Sequence, residues 1–152
     1  MKPGQNEFFA SWHFGTLIQA SPEAMKAWGL AVRKIVSADG MSEKEKERWV
    51  GIGRLMGATD EDVAYVMGAD LEKVDLPALL KNFGNNKAAM RGMLYDAIVI
   101  SSADGYSEKE RALAAKTAAL LGVETSVLHT LESLVEAEHA LRRARGALIS
   151  GQ

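Results

Sequence analysis

One nine-residue stretch occurs twice in this chain, and it limits the fold more than any other feature. The first copy is Ser37-Ala38-Asp39-Gly40-Met41-Ser42-Glu43-Lys44-Glu45 and the second is Ser102-Ala103-Asp104-Gly105-Tyr106-Ser107-Glu108-Lys109-Glu110. The copies stand 65 residues apart, and Leu55 and Gly57 recur at the same offset as Leu120 and Gly122. Each copy reads as the joint between two helices. Asp-Gly stops the first, because glycine accepts the positive φ of a tight turn. Ser-x-x-Glu starts the second as a capping box, in which serine and glutamate satisfy amide donors that a helix start leaves unpaired. The chain therefore reads as a duplication of one helix–turn–helix plan, with halves at about residues 22–68 and 87–140 of a single domain spanning 1–152.

The rest of the chain repeats the helical signal. No sustained apolar/polar alternation and no Asn-Gly hairpin flanked by β-branched runs is present, so the fold class is all-α. The expectation is a compact bundle of about seven helices, two of them short. Residues 6–20 carry Phe8, Phe9, Trp12 and Leu17, spacing that suits a first helix with an aromatic face. Ser21-Pro22-Glu23 opens a second helix, with Met25, Trp28, Val32 and Ile35 inward, running to about Ala38. Ser42 caps a third, with Trp49, Ile52 and Met56 on its apolar face and Gly57 as its terminator. Thr59 opens a short helix ending at Gly68, and Asp75-Leu76-Pro77 opens another, with Leu79, Leu80 and Phe83 facing in. Residues 87–103 form the next, with Met90, Leu94, Ala97 and Ser101 in line and Met93 and Ile100 beside them. Ser107 caps a helix running to Gly122. The last covers about 125–148, with Leu128, Leu131, Leu134, Val135 and Leu141 on one face.

Composition narrows the function classes. The 152 residues carry 18 basic and 20 acidic side chains, a formal charge of −2, which disfavours a phosphate-tracking surface and hence a nucleic-acid partner. There is no cysteine, which removes disulfides, thiolate metal sites and thiol nucleophiles. No apolar run approaches the roughly 18 residues of a membrane span. The N-terminus lacks the apolar core of a signal peptide, so the expected location is cytoplasmic. No nucleophile–base motif and no phosphate-binding glycine loop appears, and the expectation is a protein without enzymatic activity.

Ser42, Glu45, Ser107 and Glu110 are accounted for by capping, worth about 1 kcal/mol per cap. Asp39 and Asp104 are not. Each can fold back on its own backbone or ligate a hard cation. An EF-hand fails: with Asp-Gly at positions 5 and 6 of its loop, the ligand positions fall on Ile35, Ser37 and Lys46, and on Ile100, Ser102 and Arg111. A looser oxygen site remains open. Packing of the halves about a pseudo-two-fold axis would gather Asp39 and Asp104, with Glu43, Glu47 and Glu108, into one acidic cluster.

Two copies of Ala-Asp-Gly-x-Ser-x-x-Glu, each followed by a helix ending in Leu-(Met/Leu)-Gly, resemble the TerB family of tellurite-resistance-associated proteins. The resemblance covers about residues 22–140; the aromatic N-terminus matches no part of it. It implies a bundle of about seven helices, a cytoplasmic stress-response setting, no established enzymatic activity, and action within membrane-associated complexes. It also implies divalent-metal binding through acidic side chains. The motif positions that match are Asp39, Gly40 and Glu45, and Asp104, Gly105 and Glu110. The site expected from motif and residues together is Asp39, Glu43, Glu45, Asp104, Glu108 and Glu110, holding a divalent cation or a partner protein.

A second candidate lies on the last helix. His129, Glu132, Glu136 and His139 form a stripe roughly 150° away from the leucines. It reads as a solvated face, a surface metal site for zinc or iron, a subunit interface, or the ligand set of a small metal-dependent enzyme. Glu138 sits on the leucine face, where a carboxylate needs a partner; either the helix outruns the core there or Glu138 enters a polar pocket. His13 reads as a packing or surface histidine. Arg142, Arg143 and Arg145 complement the negative end of a helix or face an acidic partner.

Overall fold

The computed structural model describes residues 3–152, with side chains from Asn6 onward. Eight α-helices follow in order: α1 Pro3–Phe14, α2 Pro22–Val36, α3 Glu43–Leu55, α4 Asp60–Gly68, α5 Leu76–Leu80, α6 Lys87–Ser101, α7 Glu108–Leu121 and α8 Thr125–Ser150. Short 3₁₀ turns occupy Leu71–Lys73 and Lys81–Phe83. No strand occurs among the described residues, and no helix there is long and apolar enough to cross a membrane.

Capping chemistry sets the starts. Ser21, Ser42, Thr59, Asp75, Asn86 and Ser107 each accept a backbone N–H of the helix they open. The repeat is visible in the result. α2–α3 and α6–α7 are equivalent helix–turn–helix units, and their turns use Gly40 at φ +93 and Gly105 at φ +117. The first helices of the two units, α2 and α6, share the broadest interface in the molecule. Val32, Ile35 and Val36 of α2 and Met93, Leu94, Ala97 and Ile98 of α6 are all essentially inaccessible there. Alternate contact with both faces explains why α6, unlike a surface helix, is apolar nearly all round. α8 lies across α6 and α7, burying Leu128 and Val135.

The two ends of the chain depart from the periodic reading. The first helix stops at Phe14, not Leu17 or beyond, because Gly15 takes a left-handed conformation at φ +72. Its inward face is also different. Phe14 packs on Trp28 and Tyr95, whereas Phe8 and Trp12 stack on each other in solvent, 68% and 75% exposed. On α8 the inward line is Leu128, Leu131, Val135 and Glu138, with Leu134 and Leu141 exposed. The bundle runs out near His139, and every residue from Ala140 onward is exposed.

Gly92 marks the tightest approach to α6. A Cβ there would lie 2.6 Å from Ile18 Cδ1 and 2.8 Å from Trp28 Cη2. Gly92→Ala gains up to about 1 kcal/mol of helix propensity but overpacks a ring that cannot move aside, at about 1–3 kcal/mol. The expected net result is a lower Tm by roughly 3–6 °C, read by thermal unfolding.

Candidate functional site

Each capping box contributes one glutamate, and the fold buries both. Glu45 Oε2 accepts the Ser42 N–H at 2.8 Å, and Glu110 Oε1 accepts the Ser107 N–H at 2.9 Å. In return Ser42 and Ser107 Oγ each accept the amide N–H of their glutamate at 3.2 Å. At most helix starts such a glutamate is wet. Here Glu45 is 2% and Glu110 1% exposed, and the two carboxyls lie close enough to act on each other.

Burial therefore costs charge. It pushes the Glu45 carboxyl up to about 7; the Ser42 N–H opposes this, and the neighbouring Glu110 carboxylate adds to it. Glu110 Oε2 is buried without a hydrogen-bond partner. Asp104, on the exposed second turn, reaches the same place. The Ser42 hydroxyl holds its carboxyl below the usual range; burial opposes this, and Glu45 adds to the lowering. The arrangement is thus two buried carboxyls in a dry setting, Glu45 raised toward neutrality and Glu110 with one unpartnered oxygen, and a third acidic side chain at the edge.

Three of the six acidic residues expected at the site, Glu45, Asp104 and Glu110, come together in this way. Asp39, Glu43 and Glu108 are exposed on the turns and first helical turns, and Glu47 is exposed on α3. Asp104, on the second Asp-Gly turn, lies against Ser42 at the start of the other half's helix. Among the described residues no three His, Asp or Glu side chains converge into a ready-made metal cage.

The stripe on α8 is divided. Glu132 pairs with Arg111, whose guanidinium lies 4.4 Å over the Tyr106 ring. His129 and Glu136 are exposed beside Glu132, on a cleft of about 540 Å³ that reaches Gly105 and Tyr106. His139 is half-buried; burial, then Arg48, Arg142 and Arg143, push its pKa down. Glu138, one position along, accepts the Tyr95 hydroxyl at 2.5 Å, which gives the inward carboxylate its partner.

The sequence reading missed Asp96. It is 3% exposed in the middle of α6, with Oδ1 2.6 Å from His13 Nε2 and Oδ2 accepting the Trp28 indole N–H at 2.9 Å. Burial raises its pKa, opposed by the His13 and Trp28 contacts. His13 is accordingly a packing residue, stacked on Phe9 and edge-on to Tyr95, that ties α1 to α6. A signal was present: an aspartate inside the run Leu94-Tyr95-Asp96-Ala97-Ile98 requires buried partners.

A helical bundle whose duplicated halves meet through their capping glutamates defines a class of fold, and comparison with known proteins identifies the class. A crystal structure of a tellurite resistance protein from Nostoc punctiforme PCC 73102 superposes with a TM-score of 0.81 at 27% identity, covering 100% of this chain and 98% of that one. No protein-family model and no curated protein matches the chain. The chain folds as a TerB-like domain.

The buried carboxyls give stability an unusual pH dependence. The folded protein favours neutral Glu45, so this stabilisation is complete below its ordinary value of 4.5 and is lost as pH rises through about 7. Asp96, also raised by burial, acts in the same sense. Glu45→Gln mimics the neutral form and keeps an acceptor for the Ser42 N–H. It is expected to flatten the fall between pH 5 and 8 and to exceed the wild type at pH 8 by at most about 3 kcal/mol, measured by urea unfolding across that range.

Proposed function

We propose that this chain is a non-enzymatic TerB-like domain that takes up a hard divalent cation between Glu45 and Glu110, with water completing its coordination. The observation that carries the reading is Glu110 Oε2, buried without a partner beside a second buried carboxyl. Two such groups are tolerated only if something positive lies between them, a proton or a metal ion. The donors are all carboxylate oxygens, which suits magnesium, calcium or manganese rather than zinc. Two carboxylates leave a magnesium-like ion several positions for water. The bound ion would supply charge neutralisation, and the residues' own part is to hold it at the seam between the two halves. Cation and proton then compete for one site, so metal loading rises with pH.

The setting rests on likeness. The similar protein from Nostoc is named for tellurite resistance, and we extend that role to this chain as a cytoplasmic stress-response domain working with partner proteins in a membrane-associated complex. A partner could use the acidic turns, where Asp39, Glu43 and Glu108 remain exposed. The solvent-facing Phe8–Trp12 pair offers a second contact of different chemistry.

Calorimetric titration of chelator-treated protein at pH 8 with Mg²⁺, Ca²⁺, Mn²⁺ and Zn²⁺ tests the site. The expected outcome is saturable 1:1 binding of an oxygen-preferring ion, with proton release growing as pH is lowered toward 7, and loss of that binding in Glu110→Gln. Zinc binding that survives the substitution would move the site to His129 and His139. No heat and no thermal shift with any ion would overturn the cation reading.

A further inference from the structure

Away from the carboxyl pair, a pocket of about 320 Å³ opens between α2, α3 and α4. Its walls include Met25, Val32, Trp49, Ile52, Met56 and Val66. None of the acidic residues of the proposed cation site lines it.

We propose that this pocket is a binding site for a compact, uncharged apolar molecule. Its volume falls at the small end of ligand sites, which are typically 300–1,000 Å³ and mostly apolar. An apolar cleft of this kind is poorly hydrated, and its lining forgoes dispersion contacts that a guest restores. The charged groups around it are held by the protein's own partners. Asp96, which borders it, already has both oxygens engaged, by His13 and by the Trp28 indole. Asp62 Oδ2 is engaged by the Thr59 amide at 2.8 Å and hydroxyl at 2.9 Å, at the start of α4. Lys26, the one cation among the lining residues, lies close enough to lower the Asp62 pKa and sits 6.0 Å from the centre of the Tyr65 ring. Acid and base thus offset each other, which selects against a charged guest.

Gly53 supports the reading from the side of the protein. It is half-buried inside α3 and borders the pocket. A Cβ there would meet only Ala58, at an unstrained 3.7 Å. Neither backbone nor packing requires glycine at this position. Its effect is to leave the cleft open, where a larger side chain would fill it.

Fluorescence titration with N-phenyl-1-naphthylamine, an uncharged dye that brightens in apolar surroundings, is the test, with energy transfer from Trp28 and Trp49 reporting location. Wild-type protein is expected to bind one dye saturably. Gly53→Leu, which fills the cleft, should weaken binding by about tenfold or more with circular dichroism and Tm maintained. The anionic analogue 8-anilinonaphthalene-1-sulfonate should bind about tenfold more weakly than the uncharged dye. If Gly53→Leu fails to fold, Met25→Trp at the half-exposed edge replaces it with the same expectation. Absence of saturable binding by the wild type, undiminished binding by the folded filling variant, or equal affinity for the anionic dye would each overturn the proposal. Because neither dye carries a metal and Glu110→Gln leaves the pocket lining untouched, failure here is separable from failure of the cation site.

Discussion

The joining of two capping boxes through their buried glutamates is the constraint on which the arrangement of the halves depends. Ser42 and Glu45 start α3, and Ser107 and Glu110 start α7, by the same reciprocal bonds. Capping alone would leave those glutamates at the surface, and a surface carboxylate would allow the halves many relative positions. Burying both at one seam makes the capping residues part of the interior. The unfavourable meeting of like charges then has few solutions, and each requires a positive species or a shared proton at that point. Local helix chemistry and the relation between the halves, which the α2–α6 interface otherwise sets, meet in the same four side chains.

A second polar anchor acts at the other side of α6. Asp96 holds the indole of Trp28 and the imidazole of His13 at once. Trp28 is thereby fixed in the place where Gly92 admits it against α6, and α1 is drawn onto the aromatic surface of Phe14 and Tyr95. The buried carboxylate is tolerable because neither oxygen is left without a partner. The contrast with Glu110, whose Oε2 has none, separates a polar group that completes the structure from one that leaves an unmet demand.

The helices of the two repeated units were legible because their boundaries are written in short-range chemistry. Serine, asparagine, aspartate and glycine sit at the starts and stops of α2, α3, α6 and α7, and the structure follows them within two residues at each end. The class of the fold followed from the same signals. The terminal helices were less legible. Gly15 was passed over as a stop, and period alone could not tell that Phe14 rather than Trp12 faces inward. On α8 the leucine spacing continues past the end of the bundle, so Leu141 looks like core and is not, while Leu134 lies to the side of the Leu128–Leu131–Val135 line. At the candidate site, Glu45 and Glu110 were named from the motif, but their burial is a property of how the halves meet. Asp96 depends on contacts 68 and 83 residues away in sequence, which no local pattern carries.

The end of α8 has a consequence for how the molecule comes apart. Beyond His139 the helix continues to Ser150 with no side chain buried. A segment of that length with no buried side chain is near the limit at which an isolated helix persists in water. Like charges at Arg142 and Arg145, one turn apart, weaken it further. Its helix–coil balance is therefore set by temperature and ionic strength almost independently of the core. Backbone probes of unfolding would register that fraying well before the tryptophans sense any change, so the two transitions would not coincide. The lack of coincidence would reflect the overhang of one helix, and not an intermediate in the folding of the bundle.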